Sequence, residues 1–139
     1  MVSDTKKRGA AHAHRGKLLE GAIKLGDELL AEVAAGATVV VPSFWYLEMA
    51  NVLLVAQRRH RLTAAQRRTA LEELTALQFT IDEEAAQKAF GRISELADEH
   101  GLTIYDATYL EVALRRKLWL GSRDEALRNA AKRCGVKLG

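Results

Sequence analysis

Three acidic side chains, Glu48, Asp106 and Asp124, occupy places in the sequence where a carboxylate needs an explanation. Glu48 lies in an otherwise apolar stretch, and a carboxylate in apolar surroundings is destabilising unless it is paired or binds a cation. Asp106 and Asp124 lie near the starts of two predicted helices. If the three met in space, they would offer the oxygen ligands that Mg²⁺ or Mn²⁺ prefers. The sequence therefore predicts a divalent-metal site.

Glu48 and Asp106 each have a simpler structural explanation. Asn51 follows Glu48 by three residues on the same helix face, so the two could form a buried hydrogen-bonded pair, or Glu48 could pair with an arginine elsewhere. Thr103 and Asp106 have the spacing of a capping box, in which Asp106 would satisfy N–H groups of the first helical turn.

The third carboxylate is less easily explained by capping. Ser122 and Glu125 have the capping-box spacing, so we expect Ser122 to begin the last helix and Asp124 to have no capping role. The structural explanation that remains for Asp124 is compensation of the helix dipole at the start of the helix. Only the combination of the three carboxylates favours a metal site over these separate explanations.

The surrounding sequence excludes several other chemistries. There is no cluster of His and Cys with zinc-ligand spacing and no glycine-rich phosphate-binding motif. Carboxylates alone suit one or two Mg²⁺ or Mn²⁺ ions, which activate a water molecule and stabilise the charge that develops on a phosphate during in-line displacement.

The elements that must position these residues alternate between strands and helices. Residues 38–41 are a short β-branched run between Gly36 and Pro42, which predicts a buried strand. Further strands are predicted at residues 79–81, 118–120 and 136–138. Helices are predicted at residues 17–35, 44–58, 63–77, 83–100, 106–116 and 122–133. This alternation favours a parallel sheet covered by helices, with sites at the carboxyl ends of the strands.

Two helices carry more detailed expectations. In helix 44–58 only Glu48 and Asn51 are strongly polar before Gln57, so we expect it to be buried nearly all round. Residues 83–100 are expected to form one long helix, which Gly101 is placed to end in a left-handed conformation.

Composition limits the class of protein. The length of 139 residues with 48% apolar residues fits one domain with one core. No apolar run approaches the roughly 20 residues of a membrane span, and no signal peptide is recognisable. The single cysteine excludes an internal disulfide, which favours a reducing cytoplasm. Basic clusters at residues 6–17 and 58–61 either attract phosphates or form solvated faces.

Several segments together resemble a known family. Residues 41–51 read Val-Pro-Ser-Phe-Trp-Tyr-Leu-Glu-Met-Ala-Asn, residues 102–110 read Leu-Thr-Ile-Tyr-Asp-Ala-Thr-Tyr-Leu, and residues 122–124 read Ser-Arg-Asp. With residues 58–62 and 130–136, their order and spacing from about residue 26 to residue 138 resemble the PIN-domain ribonucleases of the VapC type. Those are the toxins of bacterial and archaeal toxin–antitoxin pairs.

The resemblance implies a three-layer α/β/α sandwich with a central parallel sheet and Mg²⁺-dependent endonucleolytic cleavage of RNA. Glu48, Asp106 and Asp124 match acidic positions of the family. Asn51 matches the polar neighbour of the first, and Ser122 a position where the family has Thr or Ser. A partner antitoxin and a toxin homodimer are also implied by the resemblance.

The first residues depart from the family, which opens with an apolar strand ending in an aspartate ligand. Asp4-Thr5 echoes that pattern, but Lys6-Lys7-Arg8 follows where the family is apolar, and three cations do not suit a buried central strand. We therefore expect residues 1–16 to be an atypical basic segment, rebuilt or mobile, and residues 17–139 to form the PIN-like domain. The first strand is then either absent or rebuilt.

This departure leaves two hypotheses. Asp4 remains a candidate for the first ligand, although the residues around it argue against that role. Without the ligand, the alternative to an endoribonuclease is a catalytically silent PIN-like module that binds an antitoxin-type protein.

Overall fold

The computed structural model describes residues 35–139 and the backbone of residues 10–13. Four parallel strands form one sheet in the order β3-β2-β1-β4. They are β1 (Ala10–Ala13), β2 (Val39–Pro42), β3 (Thr80–Asp82) and β4 (Trp119–Ser122). The predicted strands at 38–41, 79–81 and 118–120 are confirmed with small shifts, whereas 136–138 contributes only a bridge between Leu120 and Leu138. The predicted α/β class with a parallel sheet is confirmed, consistent with an α/β sandwich.

The first strand lies at the centre of the sheet, between β2 and β4. It is built from Ala-Ala-His-Ala, so of the two alternatives the strand is rebuilt rather than absent. Ala10 pairs with Val39 on one side, and Ala13 pairs with Ser122 on the other. Four residues of the basic segment 1–16 thus belong to the sheet, while the boundary at residue 16 stays a prediction. Asp4 and the predicted helix 17–35, except its last residue, lie outside the described residues.

Five α-helices surround the strands in the described residues. They are α1 (Trp45–Arg58), α2 (Ala64–Ala76), α3 (Ser94–His100), α4 (Ile104–Arg116) and α5 (Glu125–Arg133). The start of α2 has the capping box that its sequence predicts: Thr63 Oγ1 accepts from the Gln66 N–H at 3.1 Å, and Gln66 Oε1 accepts from the Thr63 N–H at 2.9 Å.

The expectation that α1 is buried nearly all round is wrong. Trp45, Met49 and Leu53 are buried, but Leu47 is 75% exposed and Asn51 is exposed as well. The helix therefore buries one face, at a spacing of about four residues, and presents an apolar outer face. Side-chain type alone did not distinguish apolar residues that enter the core from those that remain outside.

The prediction of one helix over residues 83–100 is also wrong, because the segment is divided into three pieces. A 3₁₀ turn, Ala85–Lys88, and a π-helical turn, Ala89–Ile93, precede α3. Gly91 interrupts the helix with φ −115° and ψ −107°, a conformation that a glycine backbone adopts more easily than other residues do. The predicted end of the helix is confirmed, since Gly101 ends α3 with φ 62° in the left-handed region.

The main core lies where α4 crosses the sheet. Val39 and Val41 of β2 and Leu120 of β4 are buried with Leu110 and Val112 of α4. A second, smaller cluster fills the space between α1 and α2, centred on Leu53, Ala56 and Leu62. Among the described residues, no helix has the length and apolar character needed to cross a bilayer.

Candidate functional site

Glu48 is placed just beyond the carboxyl end of β2. Pro42 ends the strand, Phe44 occupies the N-terminal cap position of α1, and Glu48 lies in the first turn of that helix. Its backbone N–H donates to the Phe44 carbonyl at 3.0 Å. The side chain is half-buried, at the edge of the sheet where parallel α/β proteins form their sites.

Asp106 is placed by the cap of α4. Thr103 Oγ1 accepts from the Asp106 backbone N–H at 3.2 Å, so the predicted capping role of Thr103 is confirmed. The Asp106 side chain belongs to a residue that is only 4% exposed. Phe44 packs edge-to-face on Tyr105 and Tyr109, with ring centroids 5.5 and 5.6 Å apart. The starts of α1 and α4 therefore lie against each other.

Tyr109 bonds one of these carboxylates and lies within the electrostatic influence of the other. Its hydroxyl donates to Glu48 Oε1 at 2.9 Å, and the residue is 1% exposed. Burial strongly raises the pKa of Tyr109, and the charges of Glu48 and Asp106 together with the hydrogen bond to Glu48 raise it further. The phenol therefore stays a neutral donor at any physiological pH. The structure thus places one of the three predicted acidic residues on the buried Tyr109 hydroxyl and the charge of a second near it.

Asp124 caps a helix, although the sequence predicted no capping role for it. It is the N-cap of α5, and its Oδ1 accepts from the Leu127 N–H at 2.8 Å. Ser122 is the last residue of β4, so the chain is still extended there and the helix cannot begin. The Ser122 hydroxyl instead accepts from the Asp124 N–H at 3.0 Å. The predicted cap by Ser122 with Glu125 is therefore wrong.

The strand order separates Asp124 from Glu48. Asp124 follows β4 and Glu48 follows β2, and β1 lies between these strands, so the two strand ends are two spacings or roughly 10 Å apart. Among residues 35–139, no three or more His, Cys, Asp or Glu side chains form a group that could hold a metal ion. The intervening strand ends at Ala13, opposite Ser122, and alanine is a residue type without a ligand atom. The metal-ligand roles of Glu48, Asp106 and Asp124 stay predictions.

The pair of Glu48 and Asp106 nevertheless fits Mg²⁺ in its chemistry. Mg²⁺ keeps several waters and is commonly bound through one or two carboxylates together with phosphates of the substrate. Asp124 does not conflict with such a site, because capping engages only its Oδ1. Asn51 is exposed one turn beyond Glu48, where it can contact a ligand rather than fill the core.

The basic cluster at residues 58–61 lies at the opposite end of α1. Arg58, Arg59, His60 and Arg61 are all exposed, and His60 has φ 56° in the turn that leads to α2. Ten residues of helix separate Glu48 from Arg58, a distance of roughly 15 Å. A bound polyanion would have to extend along α1 to contact both.

A second group of buried charges was missed in the sequence. Asp82, at the carboxyl end of β3, is 1% exposed and accepts from Arg115 Nη2 at 2.8 Å, from Arg116 Nε, and from the Ala85 N–H at 2.9 Å. Arg115 also donates to both oxygens of Glu111, at 2.8 and 3.1 Å. We call Asp82, Glu111, Arg115 and Arg116 the arginine cluster.

The electrostatics of the arginine cluster are those of a structural ion network. Burial alone would raise the pKa of Asp82, but the hydrogen bonds from Arg115 and Arg116 outweigh it and lower the pKa below its ordinary value. Contacts with Glu111 and then Asp82 raise the pKa of Arg115. The sequence held one signal, the four-residue spacing of Glu111 and Arg115 on a helix. Nothing local connected them to Asp82, 33 residues away from Arg115.

Comparisons with known proteins agree with this architecture. A family model described as "PIN domain" matches residues 10–133. The crystal structure of PAE2754 from Pyrobaculum aerophilum superposes with a TM-score of 0.62 at 21% sequence identity, covering 94% of this chain and 85% of that one. At that identity the likeness concerns the fold. Comparison with curated proteins finds no match.

Proposed function

Because the chain belongs to the PIN-domain family, whose members are generally nucleases, we propose that it is a divalent-metal-dependent endoribonuclease. We further propose that it is the toxin of a toxin–antitoxin pair, acts in the cytoplasm and is inhibited there by an antitoxin protein. The observation that carries the proposal is the hydrogen bond from the Tyr109 hydroxyl to Glu48 at the carboxyl edge of β2, with the charge of Asp106 acting on the same phenol.

In this proposal Glu48 and Asp106 hold Mg²⁺ or Mn²⁺, and Asp124 contributes through the oxygen that does not cap α5. The metal would supply an activated water and neutralise charge on the phosphate that is cleaved. Tyr109 orients the Glu48 carboxylate through its hydrogen bond, and Thr103 fixes the first turn of α4 that bears Asp106.

Two further residues complete the proposed site. Ser122 is 5% exposed and binds the backbone N–H of Asp124, so it sets the chain path between β4 and α5. Asn51 is exposed on α1 near Glu48 and is proposed to hydrogen-bond the RNA backbone.

The basic cluster at residues 58–61 is proposed to attract the RNA electrostatically. Its residues are exposed and carry three arginines, which suits phosphate contacts without base specificity. Binding through this cluster would weaken with rising salt, because each neutralised phosphate releases counterions.

The test is cleavage of a mixed single-stranded RNA with and without Mg²⁺, beside the variant Asp106→Asn. We expect no cleavage without the metal, and a loss on the order of a hundredfold or more in the variant, as for removal of one group that stabilises transition-state charge. Asp98→Asn is the matched control, since Asp98 is exposed on α3 and should leave activity unchanged. Cleavage without added or bound metal, or a fully active Asp106→Asn protein, would disprove the proposal.

A second candidate function is a catalytically silent PIN-like module that binds an antitoxin-type protein. Two observations favour it: β1 ends in an alanine, and residues 35–139 contain no group of three metal-binding side chains. Calorimetric titration with Mg²⁺ and with Mn²⁺ separates the candidates. Binding that Asp106→Asn abolishes supports the nuclease, whereas absence of binding together with absence of cleavage supports the silent module.

A further inference from the structure

Tyr105 presents an aromatic ring at the rim of the Glu48–Asp106 pair. It lies in the first turn of α4 and is 59% exposed, although Asp106, the next residue, is buried. Consecutive residues of a helix point in directions about 100° apart, so Asp106 and Tyr109 lie on the buried face of α4 while Tyr105 stays outside. Ile104, the residue before it, is exposed as well. The start of α4 therefore combines a buried carboxylate with an exposed ring.

Phe44 holds the Tyr105 ring in place. The two rings pack edge-to-face with centroids 5.5 Å apart, and Phe44 makes the same kind of contact with the buried Tyr109 at 5.6 Å. Tyr109 in turn donates its hydrogen bond to Glu48. Because the contact with Phe44 restricts its rotation, Tyr105 loses less side-chain entropy when a planar group stacks on it than a freely rotating ring would lose.

A nucleobase is the planar group that RNA would bring to this ring. In the proposed function a phosphate of the RNA is bound at Asp106, and the base of the adjoining nucleotide is tethered to that phosphate through one sugar. Tyr105 directly precedes Asp106, and the rise between them along the helix axis is about 1.5 Å. The bound phosphate therefore delivers a base to the neighbourhood of the ring, which favours a base over a side chain of another protein as its partner.

The charges at this site also favour stacking over ionic contacts. Glu48 and Asp106 repel the phosphates of RNA unless a metal ion lies between them. The basic cluster at residues 58–61 is roughly 15 Å away along α1, so its attraction acts on other phosphates of the strand. An aromatic ring attracts a base without using charge, and it accepts every base because each has a π-face. Stacking would thus add affinity at the point where the repulsion is largest.

We propose that Tyr105 is a substrate-binding residue that stacks on an unpaired base next to the phosphate that is cleaved. This inference rests on the proposed function, since the phosphate at Asp106 is what brings the base to the ring. It also defines the substrate more narrowly. A base inside a duplex is stacked between its neighbours and has no free face, so the RNA must be unpaired at the cleavage point.

The test compares two strands of about eight nucleotides, a single-stranded RNA and a base-free strand with the same number of phosphates. Binding to the full chain is measured at low salt with the metal chelated, so that cleavage does not interfere. Tyr105→Leu keeps an apolar side chain against Phe44 but removes the ring, and we expect it to raise the Kd for the RNA about fivefold or more. It should leave the Kd for the base-free strand unchanged. Tyr105→Phe keeps the ring and should bind both strands like the wild type.

Phe90→Leu is the matched control. Phe90 is a fully exposed ring, but it lies near the other end of α4, because the next residue, Gly91, lines the same hollow as Leu114. Leu114 follows Tyr105 by nine residues of helix, a distance of roughly 14 Å. We expect Phe90→Leu to leave the Kd for both strands unchanged. In the cleavage assay Tyr105→Leu should raise KM with little change in kcat, because stacking binds the substrate and the transition state alike.

Three results would overturn the inference. Equal weakening of both strands in Tyr105→Leu would mean that the ring only supports the structure. Unchanged RNA binding in Tyr105→Leu would leave the ring to a protein contact, and a wild type that binds neither strand would exclude the stacked base. The proposed function fails by different results, a fully active Asp106→Asn protein or cleavage without metal. Ring-dependent binding in a protein that never cleaves RNA would support the stacking contact and reject the nuclease.

Discussion

The arginine cluster and the Glu48–Asp106 pair hold buried or half-buried carboxylates in two different ways. In the first, Asp82 and Glu111 are each met by guanidinium groups at hydrogen-bond distance. In the second, Glu48 accepts from the neutral Tyr109 hydroxyl, and the charge of Asp106 acts on the same phenol. Burial of a carboxylate therefore does not by itself identify a functional site. We expect substitutions in the arginine cluster to lower the protein's stability, and substitutions in the Glu48–Asp106 pair to lower its activity.

The largest effect on stability is expected for Asp82→Ala. This change removes the fully buried carboxylate that Arg115 and Arg116 share and leaves Arg115 only its contacts with Glu111 and Glu84, so we expect a loss of about 3 kcal/mol in the free energy of unfolding. Chemical denaturation measures it. Glu84→Ala is the control, because its contact with Arg115 is long, at 3.5 Å, and exposed, so its loss should stay below about 0.5 kcal/mol. Equal effects of the two changes would refute the structural assignment of the cluster.

The same comparison can be sharpened with pH. The pKa of Asp82 is lowered on folding, so the unfolded chain binds the proton more readily, and the stability that Asp82 contributes is present above its unfolded pKa of about 3.9. That contribution is lost as the pH falls through the lower folded-state pKa. We expect the stability difference between wild type and Asp82→Asn to be constant from pH 7 to about 5 and to narrow below about 4. A difference that is unchanged at pH 2.5 would contradict it.

Tyr109→Phe tests the pair with a change that keeps the ring. It removes a partly buried hydrogen bond to a carboxylate, and we expect a loss of about 1–2 kcal/mol in stability. Tyr46→Phe is the matched control on a half-exposed ring of α1, with an expected change within about 0.5 kcal/mol. If Glu48 holds Mg²⁺, calorimetry should also show weaker binding in Tyr109→Phe, though less weakened than in Asp106→Asn. Tighter binding would mean that the phenol competes with the metal for Glu48.

The smallest stability effect, and the sharpest functional one, is expected at Asp124. Asparagine caps helices about as well as aspartate, so Asp124→Asn should change stability by only a few tenths of a kcal/mol, whereas Asp124→Ala should cost about 1 kcal/mol. If Asp124 also serves the metal, both variants lose RNA cleavage. Full cleavage by Asp124→Asn would show that this residue is only a helix cap. Thermal unfolding and the cleavage assay measure the two effects separately.

Local features of the fold were predictable because their causes are local. The β-branched run at residues 38–41 gave β2, the threonines Thr63 and Thr103 gave helix starts, and Gly101 gave a helix end. The segment 83–100 was mispredicted because helical periodicity continued through Gly91, while Asp82 bound the Ala85 N–H and started a separate turn. The cap of α5 was displaced because Ser122 was held in β4 by its pairing with Ala13.

The same division applies to the candidate site. The sequence by itself determined that Glu48, Asp106 and Asp124 are carboxylates near the starts of helices. Capping signals and apolar periodicity depend only on residues that are close together in the chain. Only the tertiary structure decided that Tyr109 bonds Glu48, that β1 separates β2 from β4, and that Phe90 stays outside the core. These outcomes depend on strand order and on contacts between residues distant along the chain, which no local pattern encodes.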